Sequence, residues 1–566
     1  RADVEIYHKA VRWALQYNEI YDLKEIPVAR QLLKEGLDRV KALRNGRSPW
    51  TTATGLVPKG YDSRIDGSVQ PYGLVIPETY DPKKKTRLDA WFHGRGEKLT
   101  ELAFLQQRRT SKGEFTPPDA IVLHLYGRYC NANKFAGEID LFEALDSVRR
   151  QYNIDEDRII IRGFSMGGAA CWQFAVHYPD LWCAAAPGAG FSETPDFLKV
   201  FQNETLKPTA WEQTLWHLYD CTDYAANLFN LPVVAYSGEL DKQKQAADMM
   251  EKAMKAEGLD LVHIIGPKTA HKYEPEAKKE IDRRIDALAA KGRDRLPKKI
   301  RFTTWTLRYN RSHWVRVLGL QEHWKRARVE AEIGEDSTLR ARTENVSAIS
   351  FGLHDAPVRL DGQDFPLPNP GNQRFEKRNG QWRVADEEKG LRKKPGLQGP
   401  IDDAFMERFV IVRPTGTAKN PQVQGWFEKE MKRAIEHWRK QFRGDALVID
   451  DTAVTDAITK DANLVLWGDP TSNAYLARIA DRLPSLPVSS ETQVPIMIYP
   501  NPLFPSRYVV LNSGFTFREY DYLNNARQVP RLPDWAVVDV STPPDSRWPG
   551  KVVAADFFDE EWRLKK

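Results

Sequence analysis

The sequence predicts an α/β fold built on a mostly parallel sheet, and three observations carry that expectation. Between about Arg87 and Gly292, short apolar runs alternate with stretches of helical periodicity, the pattern of strands joined by crossover helices. Inside that region a Gly-x-Ser-x-Gly pentapeptide separates an apolar run from a helical stretch. At 566 residues the chain also exceeds what one core usually fills, about 250 to 300 residues, so further domains must flank the sheet.

Composition narrows the classes. With 41 % apolar, 11 % aromatic and 28 % charged residues the chain is ordinary globular material, and no apolar run reaches the roughly 18 residues a membrane span needs. The 83 Lys and Arg nearly cancel the 78 Asp and Glu; a net charge of +5 gives no electrostatic case for a nucleic-acid partner. The runs Lys83-Lys84-Lys85 and Lys298-Lys299 read as solvated loops. Cys130, Cys171, Cys183 and Cys221 show no Cys-x-x-Cys spacing, so neither a metal nor redox chemistry is expected. The chain opens at Arg1 without a methionine, which fits a removed signal peptide, and a secreted or periplasmic location is favoured on that ground.

Along the chain, Tyr7, Val11, Ala14 and Leu15, then Leu32, Leu33, Leu37 and Val40, fall at helical spacing and predict two helices in an extension over residues 1–58. A catalytic domain follows over 59–295. Its first strand is expected at Tyr72 to Ile76. The core strands are expected at Leu88 to Phe92, Ala120 to Leu125, Arg158 to Ile161, Trp182 to Ala186, Val233 to Tyr236 and Leu261 to Ile265. Helices are expected at Ile139 to Tyr152, Ala169 to His177, Ala246 to Glu257 and Pro275 to Ala290. Over 296–398 the alternation of Phe302, Trp305, Leu307 and Tyr309, then Val329, Ala331 and Ile333, predicts a small antiparallel β-rich domain. A last α/β segment, 399–566, carries a helix at Gln424 to Phe442 and strands at Leu464 to Trp467, Ile496 to Tyr499 and Tyr508 to Leu511.

The chemistry centres on Gly163-Phe164-Ser165-Met166-Gly167. A serine on a sharp strand-to-helix turn has its Oγ lifted above the sheet, and the Met166 N–H at the helix start can receive a developing oxyanion. A nucleophilic serine needs a base and an orienting acid, which in such a fold follow it in the order Ser, Asp or Glu, His. The run ending at Tyr236 leads into Ser237-Gly-Glu-Leu-Asp241, which offers two carboxylates; Asp241 is preferred to Glu239 because the loop turns the acid toward the site. The next run ends in Gly266-Pro-Lys-Thr-Ala-His271, and His271 is the expected base. His263 lies inside a strand, His177 on the helix after the serine, and His93 and His124 precede the serine, so none fits that order. The glycine-bearing loop His93-Gly94-Arg95-Gly96 is placed to supply the second oxyanion donor, with the Arg95 N–H preferred. The Arg95 side chain either binds a substrate carboxylate or pairs with an acid. His93, Tyr129, Trp211 and Trp216 are candidates for substrate contact.

On these motifs, the stretch from about Gly60 to Asp282 resembles the prolyl oligopeptidase-like serine hydrolases of the α/β-hydrolase superfamily and the related poly(hydroxybutyrate) depolymerase and feruloyl esterase-like enzymes. The whole arrangement, with Asp66-Gly-Ser-Val-Gln-Pro-Tyr72 before the core and Leu397-Gln-Gly-Pro-Ile-Asp-Asp-Ala-Phe405 after it, is similar to large bacterial members of that family. The resemblance implies a triad of Ser165, Asp241 and His271, no cofactor, and hydrolysis through an acyl-enzyme. Too few residues precede the core for the β-propeller of true oligopeptidases. The reading is therefore a carboxylesterase whose substrate is a small-molecule or polymer-linked ester, with a bulky or polymer-linked one, a polysaccharide acyl or feruloyl ester or a polyester, expected. A peptidase with the same site, and an inactive hydrolase that binds a polymer, are the alternatives.

Two further expectations concern access. The insert from Phe191 to Asn230, with Trp211, Trp216, Tyr219 and Tyr224, is expected to wall or cover the acyl pocket. Residues from about 297 onward are expected to shape access without supplying catalytic groups.

Overall fold

The structure, a computed structural model, describes residues 1–352, 356–366, 373–385 and 390–565. Two helices open the chain, α1 (Ala2–Gln16) and α2 (Glu25–Arg44). The apolar stripe of α1, including Ile6, Tyr7, Ala10 and Val11, packs against Val69, Leu102 and Leu105, which seats both helices on one edge of the main sheet. Gly60 makes that seat possible, since a Cβ there would lie 2.5 Å from the Ile6 side chain and 2.9 Å from the Ala2 carbonyl.

The main sheet has eight strands: β1 (Gly55–Asp62), β2 (Val69–Ile76), β3 (Thr86–Phe92), β4 (Ala120–Leu125), β5 (Ile154–Phe164), β6 (Ala184–Gly188), β7 (Val234–Gly238) and β8 (Val262–Gly266). Their order is β1-β2-β4-β3-β5-β6-β7-β8. β2 is antiparallel to both its neighbours, and the pairings from β4 through β8 are parallel. The helices are α3 (Glu101–Thr110), α4 (Ala136–Arg149), α5 (Met166–His177), α6 (Pro195–Gln202), α7 (Ala210–Trp216), α8 (Lys244–Ala256) and α9 (Pro275–Lys291). The mixed α/β architecture read from the apolar periodicity is the one observed.

Three of the differences from the sequence expectation have a plain local cause. β1 was not anticipated, because Lys59 and Asp62 interrupt its apolar pattern; the Lys59 side chain is nonetheless buried, with Asp3 at 3.4 Å. α3 was missed because four polar residues, Gln106 to Arg109, dominate its second half. β6 starts two residues later than expected, at Ala184, because Trp182 leaves the strand and donates its Nε1–H to the Phe174 carbonyl at 2.9 Å.

Between Lys299 and Ala385 the described residues form two five-stranded sheets around their own core of Phe302, Trp314, Val317, Phe351, Phe375 and Trp382. The chain then builds a seven-stranded sheet and a long helix, α10 (Pro421–Phe442), whose Trp426, Phe427, Trp438 and Phe442 are buried. This last segment shares one apolar interior with the main sheet. Ile161 and Trp172 belong to the same continuous cluster as Val410, Trp438 and Phe515, and the Phe135 ring meets that of Phe515 edge-on at 4.5 Å.

Buried ion pairs reinforce the junction. Arg443, in the left-handed turn that ends α10, pairs with Glu19 and Glu101, and the Lys9 ammonium donates to the Val69 and Arg443 carbonyls. Burial pushes the Glu101 carboxyl up, but Arg443 and Lys9 outweigh it and hold it at about 2. Arg128 and Asp66 are paired at 3.0 Å with both side chains fully buried, and Trp438 Nε1–H donates to the same carboxylate. Removing one member of such a pair strands a charge in the interior, so the contacts lock the C-terminal segment to the sheet.

Candidate active site

The end of β5 and the start of α5 create the site. Ser165 sits between them with φ 59° and ψ −122°, a strained conformation for a residue with a Cβ. Gly163 and Gly167 permit the turn: a Cβ on Gly163 would lie 2.1 Å from the Gly167 carbonyl oxygen, and one on Gly167 would lie 2.0 Å from that of Phe92. No other residue type fits either position. As the first residue of α5, Met166 has an N–H without an intrahelical acceptor, at the positive end of the helix dipole.

His271 lies in the loop between β8 and α9, and its Nδ1 is 2.6 Å from Asp241 Oδ2. Asp241 is buried, and its Oδ1 accepts from the Gln243 N–H at 2.9 Å, which fixes the carboxylate. Such a carboxylate holds the imidazole with Nδ1 protonated and leaves Nε2 free as a base. Glu239, the alternative acid, is engaged elsewhere: its Oε2 accepts from the Lys268 N–H at 2.6 Å. The His271 ring packs on Phe164, the residue before the serine, with centroids 4.8 Å apart. Among the described residues Ser165 Oγ has no hydrogen-bond partner, His271 included; the histidine meets the turn through the ring of Phe164.

The loop after β3 lies directly against the serine. A Cβ on Gly94 would be 3.6 Å from both Ser165 Cβ and the Phe164 carbonyl oxygen. The side chain of Arg95 pairs with Glu97 and also reaches the C-terminal segment, donating to Asn525 Oδ1 at 3.0 Å and to the Tyr522 carbonyl at 2.8 Å. Of the two roles weighed for it, pairing with an acid is the one observed.

The other candidates divide. Both His93 ring nitrogens face backbone carbonyls, Gly94 at 2.8 Å and Tyr126 at 2.9 Å. Burial lowers its pKa while those carbonyls push the other way, so His93 braces the loop and offers a substrate no free nitrogen. Tyr129 spends its hydroxyl on the Glu97 carbonyl. Trp211 packs on the main core, and Trp216 faces a polar pocket between the insert and the C-terminal segment. Tyr219 and Tyr224 of the insert are core residues, bonded to the Phe135 N–H and the His217 carbonyl.

Sequence reasoning missed the contribution of the C-terminal segment. Asn525 Nδ2 donates to the Cys130 carbonyl at 3.0 Å, the Cys130 sulfur lies 3.9 Å from that of Met166, and Ala526 joins Met166, Phe191 and Leu198 in one apolar cluster. Contacts across nearly 400 residues leave no local signal. The four cysteines are free and buried. A cavity of about 590 Å³ lies elsewhere, where the strands Phe409–Arg413 and Asn463–Leu466 end, and contains none of these groups.

A strained serine between a central parallel strand and a helix, with a loop against it and a His–Asp pair after the last two strands, defines a serine hydrolase of the α/β-hydrolase type. Residues 131–291 match the family model of the prolyl oligopeptidase family, and over that stretch the chain carries a domain of that family. A comparison with curated proteins gives no match. Among solved structures, similarity extends to a Bacteroides ovatus protein described provisionally as dipeptidyl aminopeptidase IV, at 14 % identity, 44 % of this chain, 37 % of that one and TM-score 0.33. It extends also to an acylaminoacyl peptidase of Pyrococcus horikoshii, at 17 % identity, 43 % of each chain and TM-score 0.32. A ferulic acid esterase matches at 15 % identity over 41 % of this chain and 97 % of its own, with TM-score 0.31. The chain thus spans less than half the length of either peptidase it matches.

Proposed function

We propose that the chain is a carboxylesterase in which Ser165 is the nucleophile, His271 the general base and Asp241 the orienting acid, acting on a bulky or polymer-linked ester. The observation that carries this is the 2.6 Å His271–Asp241 bond beside a strained serine at the head of α5. His271 Nε2 takes the Ser165 proton as Oγ attacks the ester carbonyl; the Met166 and Arg95 N–H groups receive the negative charge on the carbonyl oxygen. Protonated His271 gives its proton to the departing alcohol, and a water deprotonated by the same nitrogen then releases the acid. No step calls for a metal or an organic cofactor.

The bulky substrate is supported by exposure. The His271 side chain is 41 % exposed and Ser165 half-buried, so the pair opens on the surface and a chain-like substrate can lie across it. The match to the prolyl oligopeptidase family favours a second reading, a peptidase with the same residues. Paired assays on p-nitrophenyl esters, feruloyl-polysaccharide and peptide p-nitroanilides separate the two. The esterase reading expects ester turnover at least a hundredfold above peptide turnover, and the reverse ratio overturns it.

A further inference from the structure

A pocket of about 250 Å³ lies between the insert that follows β6 and the C-terminal segment around residues 520–547, lined among others by Glu204, Lys207, Tyr520, Arg527, Arg531 and Arg547. Three guanidinium groups converge there. Arg527 is clamped by Glu204 and donates to Gln202 Oε1 at 2.7 Å, and Arg531 is clamped by Glu212 and Asp521. Arg547 has no carboxylate; among the described residues it is held only by the face of Tyr520, 3.7 Å from the ring centroid, and Arg527 lies over the same ring at 4.5 Å. Lys207 is likewise unpaired among the described residues. Inside the pocket wall the Arg527 Nε–H is buried and has no acceptor.

Charge and polarity therefore leave the pocket incomplete. Burial, and after it repulsion from Arg547 and Arg531, pushes the Arg527 guanidinium down to about 10; with Lys207 in the lining as well, the cations there outnumber Glu204, Glu212 and Asp521. The Arg547 guanidinium and the Lys207 ammonium, neither with a carboxylate among the described residues, are both satisfied by one planar oxyanion. The volume exceeds that of a bare inorganic ion and suits one six-membered ring, for which the Trp216 indole supplies an apolar wall.

The pocket is coupled in space to the candidate active site. The segment that contributes Tyr520 and Arg527 to the pocket uses Tyr522 and Asn525 to hold Arg95, and Leu198 belongs both to the pocket wall and to the cluster around Met166. We propose that this pocket is a binding subsite for the carboxylate of a ring-sized organic acid, an acidic sugar residue being the simplest such group, placed to hold an acidic substrate chain beside Ser165. Its role beside a reacting ester rests on the esterase reading; its binding of the acid does not.

The test is calorimetric titration of the full chain carrying Ser165→Ala with sodium glucuronate, glucose and sodium sulfate. The expected result is saturable glucuronate binding, at roughly millimolar or tighter affinity, with none for glucose. Arg547→Gln, at an exposed position that no core contact depends on, is expected to weaken it about tenfold or more and to flatten its decline with added salt. Absence of glucuronate binding, binding unchanged by Arg547→Gln, or binding of sulfate alone overturns the proposal. Retained glucuronate binding in a wild-type protein that hydrolyses no ester would leave the subsite standing and remove the esterase reading instead.

Discussion

Asn525→Ala tests whether the C-terminal segment holds the catalytic loop. Its side chain, 3 % exposed, accepts from Arg95 Nη1 at 3.0 Å and donates to the Cys130 carbonyl at 3.0 Å and to Gln528 Oε1 at 2.9 Å. Two neutral buried bonds at about 1 kcal/mol each, plus one charge-assisted bond of about 1.5 kcal/mol, put the loss near 3.5 kcal/mol, reduced to about 2–3 kcal/mol because Arg95 keeps Glu97. The Gly94–Arg95 backbone, no longer fixed against Ser165, then misplaces the proposed oxyanion donor, and kcat on p-nitrophenyl acetate is expected to fall about 10- to 100-fold with KM changed less than about threefold. Urea unfolding gives the first quantity and steady-state kinetics the second. A variant destabilised by that amount with unchanged kcat would refute the claim that the C-terminal segment positions the loop.

Two further outcomes follow from specific contacts. Asp241→Asn is expected to lower kcat by about a thousandfold or more through the wrong imidazole tautomer, whereas Glu239→Gln, whose carboxylate serves the Lys268 N–H, should change it only a few-fold; the reverse ranking in kinetic assays would move the acid to Glu239. Lys134 is buried between the rings of Phe191 and Tyr219 with one hydrogen bond, to the Asn525 carbonyl, and burial pushes its ammonium down to about 7 against the pull of Asp220 and Cys221. The unfolded lysine titrates near ~10.4, so the folded chain binds fewer protons between these values and its stability rises with pH across that window. Lys134→Met should therefore stabilise the protein by a few kcal/mol at about pH 6, with the gain shrinking toward about pH 10; a pH-independent difference in urea unfolding would contradict a buried charge there.

The hydrolase sheet was legible because its strands after β2 carry short apolar runs, such as Ala120 to Leu123 and Ile159 to Ile161, that alternate with helical stretches, and because Gly163-Phe164-Ser165-Met166-Gly167 marks its own turn. β1 stayed hidden because its buried Lys59 is made tolerable by Asp3, a partner 56 positions away that no window contains. The same limit applies to the site. Order along the chain was enough to nominate Asp241 and His271, but whether Arg95 met a substrate or an acid depended on Glu97, Tyr522 and Asn525, two of them more than 400 residues distant. His93 misled for a related reason: a histidine beside a glycine-bearing loop reads as available, and only the fold reveals that two carbonyls occupy it.

The central claim is that Ser165 is the nucleophile, and active-site labelling tests it most directly. The full chain is incubated with a fluorophosphonate probe, digested, and the modified peptide located by mass spectrometry, in parallel with Ser165→Ala and His271→Ala. The account predicts a single adduct on the peptide containing Ser165, none in Ser165→Ala, and at least a hundredfold slower labelling in His271→Ala. An adduct on another serine, or ester hydrolysis at near wild-type rate by Ser165→Ala, would contradict it.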